Sequence, residues 1–385
     1  MQEFLSKLPL FEEKILSFIE TIIANIVLIG QIPAPTFQEK HRTRVLLERL
    51  AEFQVDECTT DGYRNPIGII RGRSHSKPPI FVVAHMDTAY GRDVDHNFTV
   101  HGDNISGPGV LDNSVGVGVM ASLPEIFRRL EVSFESDIVL AGVIQSIGRG
   151  NLRGIRHLIK TWSTPIRGAV CIEGGELGRL NYYSDGMIRC EICCKIAEAD
   201  TGRHSRPNAI LIVNEIINQM LALRLPQRPR SEIVIGTIAG GLKHGSEANE
   251  ATLGFEIRSD ADQMVHSLYT DIKDIVDGIG NIYQLEIQMN PISNLSASQL
   301  KYNHPLVKSA TAVMHQLGLK PASVPSESEL SIFLSRKIPT ITLGVTHGKR
   351  YQDRNSIAEI TPIAKGIAQI IGVILAIDSG VCDEN

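Results

Sequence analysis

The run Pro79-Ile-Phe-Val-Val-Ala84, followed at once by His85-Met-Asp87-Thr, restricts the fold more than any other stretch of this chain. Consecutive apolar residues, β-branched and aromatic among them, have no polar face to turn to water. They read as a strand covered on both sides, the kind found in parallel sheets between helices. Similar short runs recur at Asp137–Ile144 and Arg167–Ile172, with a further strand at Ile67–Arg71. Helical spacing falls between them, at Phe37–Phe53, Asn113–Leu130 and Leu152–Trp162. Strand, helix and strand in alternation predict an α/β fold with a mostly parallel sheet flanked by helices.

The pattern changes near Met187. Met187–Ile196, Glu232–Thr237, Ala251–Arg258 and Ile282–Met289 read as half-buried strands, with helices at Asn208–Leu223 and Ala261–Gly278. The first pattern then returns, with a helix at Pro305–Leu317, a strand at Ile338–Leu343 and a terminal helix at Pro362–Ala376. At 385 residues the chain is long for a single core. The reading is a discontinuous α/β domain, residues 1–185 and 295–385, with a smaller α+β domain inserted at 186–294.

A net charge of −5 and no run of like charges argue against nucleic acid as a partner. The N-terminus is apolar, but Glu12, Glu13, Lys14 and Glu20 interrupt it, and the uncharged stretch Thr21–Ile32 is too short to span a bilayer. An amphipathic helix packed on the body is expected there, with no membrane partner and a cytoplasmic location. The six cysteines (58, 171, 190, 193, 194 and 382) show neither a disulfide framework nor a complete zinc site, as suits a reducing compartment.

Chemistry in open α/β sheets gathers beyond the carboxyl ends of the strands. His85 and Asp87 follow one such end, Gln145 and Ser146 a second, Glu173 a third, and His347 a fourth. Asp112 lies in Gly107-Pro-Gly-Val-Leu-Asp112-Asn-Ser-Val-Gly116, at the expected start of a helix. His85 and Asp87 are two apart on extended chain and face the same way, so Asp87 can orient the imidazole. His85, Asp112 and Glu173 supply one nitrogen and two carboxylates, a ligand set suited to zinc or a similar divalent ion.

With these residues in view, the chain resembles the co-catalytic zinc metallopeptidases and deacylases that include peptidase T, glutamate carboxypeptidase and succinyl-diaminopimelate desuccinylase. The resemblance covers nearly the whole length. It rests on His85-Met-Asp87-Thr, Gly109-Val-Leu-Asp112-Asn, Gly202-Arg-His204-Ser-Arg-Pro-Asn208, Thr237-Ile-Ala-Gly-Gly241 with Asn249, and Phe255-Glu-Ile-Arg258-Ser. It implies a zinc-binding α/β domain with an inserted lid that forms a homodimer, acting on small peptides or N-acyl amino acids. By resemblance His85 and Glu173 bind one metal, Asp112 bridges to a second, and Asp87 orients His85. His204 steadies the substrate carbonyl, while Asn249 and Arg258 hold substrate.

The sequence departs from that family where hydrolysis is carried out. The family has paired glutamates, the general base and a ligand of the second metal, where Gln145 and Ser146 stand here. Its last ligand, a histidine four residues before a glutamate, is replaced by Asn355 in Asn355-Ser-Ile-Ala-Glu359. Gln accepts no proton at useful pH, and Ser is a poor zinc ligand. One complete metal site is therefore expected, with His347 as the candidate substitute at the second. Two functions follow from this: a metal-dependent hydrolase with an altered centre, or a non-catalytic relative that binds a peptide-like ligand.

Overall fold

Whole-length burial is what makes the apolar runs strands. In the computed structural model, which describes residues 2–74, 76–196, 207–351 and 353–383, every residue of Ile80–His85, Ile138–Val143 and Thr340–Gly344 is buried. These strands and Gly168–Glu173 form the parallel centre of a seven-stranded sheet. Its order runs Glu57–Thr60, Pro66–Ile70, Ile138–Val143, Ile80–His85, Gly168–Glu173, Thr340–Gly344, Leu180–Asn181. The outer strands are antiparallel. Register brings the carboxyl ends level, with His85 opposite Val143 and Gly344 opposite Glu173.

Helices cover the sheet at Lys40–Glu52, Val115–Arg129, Arg153–Thr161, Pro305–Gln316, Glu329–Ser335 and Thr361–Ala376. Each fully buried Ile, Leu or Val contributes about 1.5–3 kcal/mol relative to exposure. Ile363, Ile367, Ile370, Ile371 and Ile374 of the last helix all belong to this core. Among the described residues that helix, extended as Thr361–Val381, is the one long and apolar enough to cross a membrane, and 72% of the apolar window is buried inside the protein.

The N-terminal stretch differs from the single expected helix. It forms Gln2–Leu5, Leu8–Leu16 and Ile19–Gly30. Pro9 sits in the first turn of the second, where its missing N–H costs nothing. Ser17 Oγ donates to the Lys14 carbonyl at 2.6 Å and Phe18 leaves helical geometry, which ends that helix.

Residues Ser184–Ser298 form a second unit with a core of its own; the first comprises Met1–Tyr183 and Gln299–Asn385. Its antiparallel sheet has the order Ser231–Gly240, Glu250–Ser259, Gly186–Lys195, Ile287–Leu295. Cys190, Ile192 and Cys194 alternate inward and pack with the helices Ala209–Ala222 and Asp262–Tyr283. All six cysteines are free thiols. The strand expected at Ile282–Met289 begins later, because the helix runs to Tyr283 and closes with Gln284 at φ 55. The helix Glu329–Ser335 and a small sheet joining Thr99–His101, Asn104–Ser106, Ile357–Glu359 and Gly348–Lys349 were not expected from any apolar pattern.

Candidate metal centre

His85 closes its strand with the ring buried. Its Nδ1 faces two oxygens of Asp87, the backbone carbonyl at 3.2 Å and Oδ1 at 3.5 Å. That leaves Nε2 directed at Asp112 Oδ1, 3.0 Å away, and Glu173 Oε2, 4.0 Å away. Asp87 is itself fully buried, and its Oδ2 accepts from Thr36 Oγ1 at 2.8 Å and from the Ile147 N–H at 2.9 Å. The carboxylate that orients the imidazole is thus fixed from two other segments.

Asp112 does not cap a helix. Its backbone is non-helical, and the helix starts at Val115. Gly109 turns the chain ahead of it with φ +69, and a Cβ there would lie 2.7 Å from Thr88 Oγ1. Asn113 then donates Nδ2–H to the Ile172 carbonyl at 2.8 Å, which ties the Asp112 loop to the strand carrying Glu173. Beyond Glu173 the Tyr351 ring packs so close to Gly175 that a Cβ would fall 2.2 Å from it, and its hydroxyl accepts the Glu176 N–H at 2.8 Å.

Electrostatics reflect this convergence. Burial disfavours the His85 cation, but hydrogen bonds to Asp112 and Asp87 outweigh it and hold the ring well above the usual imidazole range. Burial pushes the Glu173 carboxyl up to about 7, against the pull of His85 and Arg179. One atom each from His85, Asp112 and Glu173 lies within 4.8 Å of the others, the one such metal-competent group among the described residues. Tetrahedral ligands on bonds of about 2.0–2.2 Å sit ~3.4 Å apart. The 3.0 and 4.0 Å separations bracket that value, so the residues present fit one divalent ion. They border a cavity of about 380 Å³ that also includes Arg179, Tyr351 and Ser326–Ser328.

The neighbouring strand end is built differently. Gln145, at φ 56, takes the Tyr63 hydroxyl on its Oε1 at 2.7 Å, and its N–H donates to Glu39 Oε1 at 2.9 Å. It lines a separate cavity rather than the one at His85. Ser146 is buried and donates to Glu329 Oε1 at 2.5 Å. Asn355 is exposed, its N–H bonded to Asp353 Oδ1 at 2.8 Å. His347 is exposed and does not belong to the His85, Asp112 and Glu173 group. Thr346 is buried and donates to the Glu359 carbonyl at 2.6 Å, and His347 after it is exposed.

Asn249 and Arg258 belong to the second unit. The Asn249 carbonyl accepts the Ile196 N–H at 2.8 Å, and Arg258 Nε donates to Glu256 at 2.9 Å. His204 lies outside the described residues. Glu39, Arg179, Glu329 and Tyr351 escaped the sequence reading, since nothing local marks residues that reach a site from distant elements.

No family model matches the chain, and no curated protein matches it by sequence. Solved structures do. The di-peptidase Dug1p of Saccharomyces cerevisiae superimposes with a TM-score of 0.78 at 11% identity, over 97% of this chain and 99% of that one. Aminopeptidase PepT of Bacillus cereus gives 0.69 at 15% identity, over 93% and 98%. The Bacillus subtilis YXEP protein, a dinuclear metal binding peptidase from the M20 family, gives 0.63 at 14%, over 93% and 98%. The chain has the M20 metallopeptidase fold. Within the M20 fold the metal-competent cluster lies at the carboxyl ends of the parallel strands, where an open α/β sheet places its chemistry.

Proposed function

We propose that the chain binds one divalent metal, zinc by ligand type, through His85, Asp112 and Glu173, and acts there on small peptides or N-acyl amino acids as a metal-dependent hydrolase. The convergence of those three side chains carries the reading. When bound, such an ion supplies Lewis-acid polarisation of a carbonyl. The chain's own residues do the rest: Asp87 holds His85 with Nε2 forward, Asn113 holds the Asp112 loop, and Arg179 places a cation beside the acidic wall of the cavity.

General acid–base help is worth about 10²–10⁴ in rate, and Gln145 provides none. Its engagement with Tyr63 favours a second reading, capture of the same ligands without turnover. We further propose a homodimer through the second unit, where the edge strand Ser231–Gly240 and Ile238, Leu211 and Leu221 are exposed. Six free thiols support a cytoplasmic setting.

Metal analysis of the purified protein, with assays on di- and tripeptides and N-acyl amino acids, tests the proposal. One equivalent of metal with slow, chelator-sensitive hydrolysis is expected. One equivalent with tight ligand binding and no turnover supports the second reading. No metal in either wild type or zinc-reconstituted protein sinks both.

A further inference from the structure

We propose that the cavity on the Gln145 side of the strand ends binds a small organic anion with an apolar or flat body, at a site separate from the metal cluster. Its volume is about 860 Å³, against about 380 Å³ at the cluster, and it falls in the range of small-molecule sites. Lys40, Arg44, Arg64 and Arg92 line it, and Glu39 is its one acidic residue. Glu39 faces the protein: its side chain is buried, and Oε1 accepts the N–H groups of Phe37 and Gln145. Arg44 approaches Glu48 at 3.6 Å, whereas Lys40, Arg64 and Arg92 form no ion pair or side-chain hydrogen bond with any described residue. Uncompensated cations on a concave wall concentrate negative ligands, and guanidinium groups bind carboxylate or phosphate through paired N–H donors.

Charge alone would suit any anion, but the remaining wall is apolar. Phe37 is 49% exposed although large and aromatic, and Tyr63, Leu47 and Ile144 continue that surface. Such a surface takes a ring or an acyl chain.

Gln145 joins the two parts. Its carbonyl oxygen is occupied by the Tyr63 hydroxyl, its amide nitrogen has no partner among the described residues, and the residue lines the cavity. A glutamate at this position would bring a negative charge and no donor. Glutamine brings a donor and no repulsion, as recognition of an anion requires.

Calorimetric titration of the full chain tests this, with three probes: adenosine triphosphate, N-benzoyl-glutamate and inorganic tripolyphosphate. One of the two organic anions should bind more tightly than tripolyphosphate, and which one it is separates phosphate from carboxylate recognition. The K40E/R64E/R92E variant should weaken that binding at least about tenfold. The milder K40Q/R92Q pair, checked for an unchanged unfolding midpoint, should weaken it in the same direction. His85→Ala should leave the anion affinity intact even where it removes metal, so failure of the metal reading and failure of this one are told apart. The proposal is overturned if no probe binds at about 1 mM, if tripolyphosphate binds as well as the organic anions, or if His85→Ala abolishes binding that charge reversal spares.

Discussion

Two strand ends lie side by side in this sheet and carry different chemistry. Ile80–His85 and Ile138–Val143 are parallel neighbours in register, both buried throughout. Beyond the first, a histidine meets carboxylates from two other segments, and its ring is oriented by Asp87. Beyond the second, Gln145 turns to Tyr63 and Ser146 to Glu329. The backbone frame is shared; the side chains alone decide that one end gathers metal ligands and the other pairs hydroxyls with neutral or buried acceptors. A frame held by the burial of apolar strands tolerates loss of polar groups at its ends, because their contribution to stability is small beside that of the core.

Substitutions can break this contrast. The largest effect is expected from Ser146→Glu. It places a carboxylate directly against Glu329, whose charge already acts on Glu173, and like charges in a buried site cost several kcal/mol unless one is protonated or a cation joins them. Thermal unfolding without metal should fall by roughly 5 °C or more, and divalent metal should recover it only if a second ion binds there. If the midpoint is unmoved without metal, Ser146 is not packed against Glu329.

Asp87→Asn should act at the other end. It keeps the shape but removes the carboxylate facing His85 Nδ1, and metal affinity should drop about 10–100-fold by competition titration. A variant binding metal as the wild type does would remove Asp87 from the centre. Glu329→Gln should cost about 1–3 kcal/mol in denaturant unfolding, since the charge-assisted bond from Ser146 becomes a neutral one, and it should lower the pH at which Glu173 gives up its proton, because the Glu329 charge holds that carboxyl up. Tyr63→Phe is the smallest perturbation. It deletes one hydrogen bond to Gln145, worth about 0.5–1.5 kcal/mol, and a change in metal affinity would show that the two strand ends are coupled after all.

Most of the frame was legible in the sequence. The runs at Ile80, Ile138 and Gly168 became central strands because nothing but a buried sheet satisfies so many adjacent apolar residues. The helices Val115–Arg129, Pro305–Gln316 and Thr361–Ala376 began and ended within about two residues of expectation, their periodicity being strong. What escaped were elements without such a pattern. The helix Glu329–Ser335 is short, and the strands from Thr99 to Ser106 and from Ile357 to Glu359 are too brief for alternation to register.

Locally, the chain determined which chemical groups stand beyond each strand: a histidine two residues before an aspartate, a glutamine and serine where carboxylates are absent, an aspartate in a glycine-rich turn. Those identities follow from sequence position because strand and turn place neighbouring residues predictably. Tertiary structure decided which groups meet. Glu329 reaches Ser146, Tyr63 reaches Gln145, and Asn113 ties Asp112 to the strand of Glu173, across separations of 183, 82 and, between Asn113 and Ile172, 59 residues. It also left His347 outside the cluster. Contacts of that range depend on how whole elements pack, and local periodicity carries no record of it.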